Sequence, residues 1–147
     1  MYSCARSFLA VASLAWSSLA SAAQVPFTGS WAIDIRTPSE RKHNVECGNA
    51  IFTLVQDGDK VTGNHTMSTA GCGRINEGGE GTVKGVIVGS TAVLVITSGR
   101  NGAIAMGIAR LRGGALHWRM TDEVKPGEPQ GDSPLILSQG VLRPTTK

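Results

Sequence analysis

This chain has little of what most enzymes and nucleic-acid binders display. Aromatic residues make up 5% of it and charged residues 17%. Its single Tyr, Tyr2, lies in the apolar opening stretch, and only Trp31 and Trp118 remain among the Trp residues beyond that stretch. With Arg6 set aside as part of a leader, 13 Lys/Arg (14 less one) stand against 11 Asp/Glu, a net charge of +2. So weak a balance argues against a general nucleic-acid or membrane-surface binder. No CxxC or HxxxH spacing is present, so neither a metal nor any other cofactor is expected. Gly-x-Ser-x-Gly is absent too, and no nucleophile, base and acid can be set in order. The local basic group Arg36, Arg41 and Lys42 reads as a solvated loop.

Arg6 is followed by an apolar run from Phe8 to Leu19 and then by Ala20-Ser21-Ala22-Ala23. A positive start, an apolar middle and small residues near a cleavage point make a secretory signal peptide. Residues 1–23 are therefore expected to be removed, and 24–147 to form one domain in the periplasm or outside the cell. After that removal no membrane segment is expected. A domain of 124 residues (147 less 23) is large enough for its own core.

Cys47 and Cys72 are the cysteines of this domain. An even count in an oxidising compartment argues for a disulfide. Strand pairing points the same way. Asp57-Gly58 marks a hairpin turn between 51–56 and 60–67, whose paired positions sum to about 115 or 116. Position 47 then faces about 68 or 69, which brings Cys72 within reach across a short loop.

Glycine and β-branched residues dominate, and no amphipathic helix of useful length is visible. Alternating or β-rich runs fall at 29–36, 51–56, 60–67, 81–88, 91–97, 103–112, 115–120 and 135–143, with turn residues between them. Segment 37–48 reads as a loop. Eight strands joined in series by short connections predict an all-β fold: an eight-stranded antiparallel up-and-down barrel with one disulfide.

The stretch Phe27-Thr28-Gly29-Ser30-Trp31 and the closing Val141-Leu142-Arg143 resemble calycin-like barrels, the lipocalin and avidin groups. The resemblance implies that Trp31 plugs one barrel end and that Arg143, from the last strand, packs across it. Gln56 to Gly63 is similar to the second hairpin of an avidin. Avidins line the biotin site with several Trp and a Tyr. Here His65 follows Asn64, so no biotin-binding residue is carried over. The Gly-x-Trp, single disulfide and small exported barrel also resemble bacterial metalloprotease inhibitors. Those insert an extended N-terminal segment into the protease cleft, whereas only Gln24-Val25-Pro26 precede Phe27 here.

In a meander the odd-numbered strands all end at one rim. Two Gly-flanked turns meet there: Gly73-Arg74-Ile75-Asn76-Glu77, and Gly99-Arg100-Asn101. Arg74, Asn76, Glu77, Arg100 and Asn101 thus make a mouth suited to an anionic or polyhydroxylated small molecule. The competing reading gives Gly and Asn to turn geometry and pairs Arg74 or Arg100 with Glu77. His65 is expected as a hydrogen-bonded core residue and His117 as outward-facing, with His43 in a polar loop. Asp57 and Asp59 belong to the hairpin turn. Asp122, Glu123, Glu128 and Asp132 read as a solvated acidic loop. Asn64-His65-Thr66 matches a glycosylation sequon within a strand.

Strands 91–97 and 103–109 are apolar on both faces, which suggests an outer wall covered either by a partner subunit or by a segment of the chain. A homo-oligomer through these strands is expected. The function expected is non-enzymatic binding of a small molecule, the alternative being a protein-interaction module or an inhibitor of a secreted enzyme.

Overall fold

The computed structural model describes residues 26–145, so the expected signal peptide lies outside the described residues. Eight strands form a closed antiparallel barrel in sequence order. They are β1 (Gly29–Asp34), β2 (Asn49–Asp57), β3 (Lys60–Ser68), β4 (Ile75–Val88), β5 (Thr91–Thr97), β6 (Ile104–Arg112), β7 (Ala115–Lys125) and β8 (Gln139–Pro144). β8 closes the barrel on β1 through Trp31 opposite Pro144 and Ala32 opposite Arg143. Closure leaves no long sheet edge exposed among the described residues, which suits a chain built mainly of strands.

Period-two alternation decides what fills the barrel. Phe52, Leu54, Val61, Met67, Val83, Leu94, Ile96, Leu116, Trp118 and Leu142 point inward and are fully or almost fully buried. Phe52 meets Trp118 edge to face, with ring centroids 5.3 Å apart. Small residues on β6 make room for that indole. Ala109 lies opposite Trp118, and a Cβ added at Gly107 would stand 2.3 Å from Trp118 Cη2. The small-residue stripe of β6 is therefore inner wall, while Ile104, Met106 and Ile108 face outward.

Trp31 closes one end, its Nε1 donating to the Phe27 carbonyl at 2.9 Å. A cleft of about 150 Å³ lined by Phe27, Trp31, Leu111 and Gly113 lies at this end. Arg143 does not pack across Trp31 as the resemblance implied. It is exposed and stands opposite Ala32 on the outer face, whereas Trp31 is buried on the inner one.

The β2–β3 hairpin pairs Asp57 with Lys60 and Ala50 with Met67, so paired positions sum to 117. The turn is centred on Gly58-Asp59, one residue later than expected. Gly58 takes φ 58°, the left-handed value that a two-residue hairpin needs at its first central position. Cys47 consequently faces Ala70, and the Cys47–Cys72 disulfide forms with Cα atoms 5.3 Å apart. Tying residues 25 apart, it restricts the unfolded chain by roughly 3 kcal/mol.

Several elements differ from expectation: β7 runs on to Lys125, which puts Asp122 and Glu123 on a strand rather than in the acidic loop, and β8 begins at Gln139 rather than at 135. β4 begins at Ile75 rather than at 81, because its Gly-rich first half hides the alternation. Between the pairs Gly63–Val83 and His65–Gly78, residues 79–82 bulge opposite Asn64 alone. Segment 38–42 forms a one-turn helix, α1 (Pro38–Lys42), where a loop was expected. Its capping box is the cause: Glu40 N donates to Thr37 Oγ1, and Thr37 N donates to Glu40 Oε2 at 2.6 Å.

Candidate functional site

The mouth opposite the Trp31 end is closed by the β7–β8 connection, 126–138, which acts as a lid. Leu135 and Leu137 drop from it into the core. The Leu137 carbonyl accepts from Trp118 Nε1 at 3.1 Å. From its composition the part up to Ser133, rich in Pro, Gly and acid, reads as solvated loop, while 135–138 read as the start of the last strand. The segment's apolar triplet Pro134-Leu135-Ile136 is the signal that it covers something.

Asn76 is the polar centre beneath the lid and is 2% exposed. It lies on β4, not in a loop, and points inward. Its Oδ1 accepts from His65 Nε2 at 3.1 Å and from the Gly99 amide at 3.0 Å. Its Nδ2 donates to Ser98 Oγ and to the Pro134 carbonyl, both at 3.0 Å. One side chain therefore joins β3, the β5–β6 turn and the lid. With all four bonds made to protein, Asn76 is turned away from the ligand role expected of it.

His65 is fully buried, as expected for a core histidine. Burial pushes its pKa below the ordinary 6.5, and the bond to Asn76 offsets this only in part. Because Asn76 offers its oxygen, Nε2 carries the proton and Nδ1 is an acceptor. Thr82 Oγ1 lies 3.3 Å from Nδ1, but its hydroxyl donates over the shorter 2.8 Å to the Gly79 carbonyl. The ring packs directly on the β4 backbone beside the bulge, where a Cβ added at Gly78 would stand 2.3 Å from His65 Cε1. It has no hydroxyl proton presented to it for abstraction.

Arg74 and Arg100 do converge, as the shared rim required. They meet on Asp132 of the lid rather than on Glu77. Arg74 Nη2 donates to Asp132 Oδ1 at 2.7 Å and also reaches the Ser133 carbonyl at 3.4 Å. Arg100 Nη1 donates to Asp132 Oδ2. Glu77 sits on the outer face of β4, exposed and without an ion pair among the described residues. Asn101 shapes the turn: its Oδ1 accepts from Ala103 N at 3.2 Å, and its own carbonyl accepts from Glu128 N of the lid at 2.9 Å. Asp132 and Ser98 are the site residues that sequence reasoning missed. Asp132 lies 58 and 32 positions from its two partners, too far for any local pattern to reveal.

The basic group near α1 is organised rather than merely solvated. Arg36 grips Asp34 through Nε at 2.9 Å and Nη2 at 2.8 Å, and its Nη1 donates to the Val45 carbonyl at 2.9 Å. That guanidinium, helped by the Arg36 backbone amide, lowers the Asp34 pKa to about 2.

The outer wall presents a different chemistry. Val93 and Val95 on β5, and Ile104, Met106 and Ile108 on β6, all face outward, partly exposed, beside the exposed Val86 and Val88 of β4. One row across the strands runs Lys84, Val95, Met106, Asp122. The next runs Lys60, Val86, Val93, Ile108, Arg119. Among the described residues no group of three or more His, Cys, Asp or Glu is placed to hold a metal. Comparison of the chain with protein-family models, with curated proteins and with solved structures gives no match.

Proposed function

We propose that this protein is a non-enzymatic protein-interaction module that works through the outer wall of its barrel, and that the occupant of that wall is a second copy of the chain. The filled lumen carries this reading. The inward side chains of the central strands present almost no surface to water, from outside or from within. A small molecule would have to displace core. Calycin-like enclosure of a ligand is therefore the weaker of the two expected classes, and the apolar wall of β4–β6 becomes the leading surface. A patch of Val, Ile and Met on a sheet face is the kind that proteins cover. The disulfide supports an exported protein, since such bonds persist in oxidising compartments.

Charge favours a second copy. A two-fold axis parallel to the strands and centred on Val95 and Met106 sets Lys84 of one copy against Asp122 of the other. It does so twice, at the two ends of the same row.

Light scattering from micromolar to near-millimolar concentration tests this. The native mass is expected to double across that range, and Val95→Glu to stay monomeric. Lys84→Glu is expected to weaken the dimer, and Lys84→Glu with Asp122→Lys to restore it. A native protein that stays monomeric throughout overturns the reading.

A further inference from the structure

The rim carries a second feature that the outer-wall reading does not use. We propose that Arg74 and Arg100 form a binding site for a doubly charged oxyanion, either a free phosphate or sulfate or the terminal phosphate of an ester. In this structure Asp132 of the lid occupies that site. The inference stands independently of the outer-wall reading.

Two guanidiniums on separate turns each take a different oxygen of one carboxylate. This is the arrangement in which proteins hold oxyanions, because each planar fork offers several N–H groups in a fixed geometry. The charges do not balance. Two cations face one anion, and no other acid forms an ion pair with either arginine among the described residues. A dianion would neutralise the pair, which Asp132 cannot.

Donors are also left over. Arg74 Nε is buried without a hydrogen-bond partner, a costly condition for a charged group. A tetrahedral anion, having more oxygens than a carboxylate, can accept from more than one nitrogen of each fork. The site is reachable, since both arginine side chains are 35% exposed and that of Asp132 is 22% exposed.

Asp132 can leave without dismantling the lid. The lid is anchored on one side by Glu128 N on the Asn101 carbonyl. On the other it is held by the Pro134 carbonyl on Asn76 and by buried Leu135 and Leu137. Only the tip around 130–133 has to swing outward. Asp132 is therefore a tethered competitor. Tethering gives it an effective concentration on the order of millimolar, which weakens any free anion in proportion.

The test is a titration of the isotope-labelled protein with inorganic phosphate, followed by amide NMR, against chloride at matched ionic strength. Saturable shifts are expected at residues 73–75, 99–101 and 131–133. Asp132→Asn keeps the shape of the lid and removes its charge, so phosphate is expected to bind it at least about tenfold more tightly. Arg100→Ala placed on Asp132→Asn is expected to abolish that gain. The same spectra report whether each variant is folded. A parallel titration with methyl phosphate separates the sources. Retained binding assigns the site to a phosphoryl ester, and loss assigns it to the free ion. Shifts no larger than those from chloride, or an Asp132→Asn protein that binds phosphate no more tightly than the native one, overturn the proposal.

Discussion

Replacing Asn76 with Leu is the sharpest perturbation of the mouth. The two side chains share one branched skeleton, but leucine is the larger, so the effect reports lost hydrogen bonds together with some overpacking. The change strands three groups, His65 Nε2–H, the Gly99 amide and the Pro134 carbonyl, while the Ser98 hydroxyl keeps the Asn101 amide at 3.4 Å. Each buried polar group left without a partner costs about 1–3 kcal/mol. Burial of the leucine returns about 2 kcal/mol. The lid lifts enough to rehydrate Pro134 and Gly99, which removes part of the remaining penalty. A net loss of about 4 kcal/mol follows, a large share of the roughly 5–15 kcal/mol that holds a small domain folded. Urea titration of the oxidised protein measures it, as a lower midpoint at unchanged slope. Amide exchange at Gly99 is expected to accelerate in parallel. A loss below about 1 kcal/mol would show that Asn76 is not the joint between lid and barrel.

His65 has a folded pKa below 6.5, so the unfolded chain takes up the proton first as pH falls. Its contribution is complete above pH 6.5 and is lost as the pH drops from there toward the folded value. The urea midpoint is expected to fall on going from neutral to mildly acidic buffer, and His65→Gln to flatten that fall; an unchanged slope in the variant refutes the assignment. Asp34 is expected to titrate near 2 by carboxyl NMR and to return toward 3.8 in Arg36→Gln; a midpoint that ignores the substitution removes Arg36 as the cause. Gly107→Ala places a methyl 2.3 Å from Trp118 Cη2 and 2.5 Å from the Arg119 carbonyl. Overpacking of this kind costs about 1–3 kcal/mol, with a change in the near-ultraviolet signal of Trp118. A variant as stable as the native protein would mean that the β6–β7 wall gives way more easily than its packing indicates.

The barrel was legible because its evidence is local. Alternation such as that of Trp31, Ile33 and Ile35 marks strands, and turn residues such as Asp57-Gly58 mark hairpins to within a residue. Series order then dictates the meander. Register was not legible to the residue, since a shift of one changes every partner and can reverse a face. The contact expected between Trp31 and Arg143 came from the resemblance, and it fails because Arg143 faces outward beside the inward Leu142. The start of β4 was hidden because Gly78, Gly79 and Gly81 carry no side chains to alternate. At the mouth, topology correctly put Arg74 and Arg100 on one rim. Their true partner, Asp132, could not be seen, because its loop has the composition of a solvated segment and its contacts exist only in three dimensions. Asn76 was visible as a residue type but not as an inward one, since the extent of its strand was unknown.

The thin seam between β1 and β8 has a consequence for how the chain reaches this structure. Those strands lie at opposite ends of the described sequence and meet over two residue pairs, with Thr145 N donating to the Ser30 carbonyl at 2.9 Å. Every other pairing joins neighbours in the sequence and can form early, while the seam closes a loop that spans nearly the whole domain. Before it closes, the molecule is an open curved sheet. The bare flanks of β1 and β8 are then available to any other strand, including that of another molecule. Refolding yield should therefore depend on dilution even if the finished barrel does not associate at all.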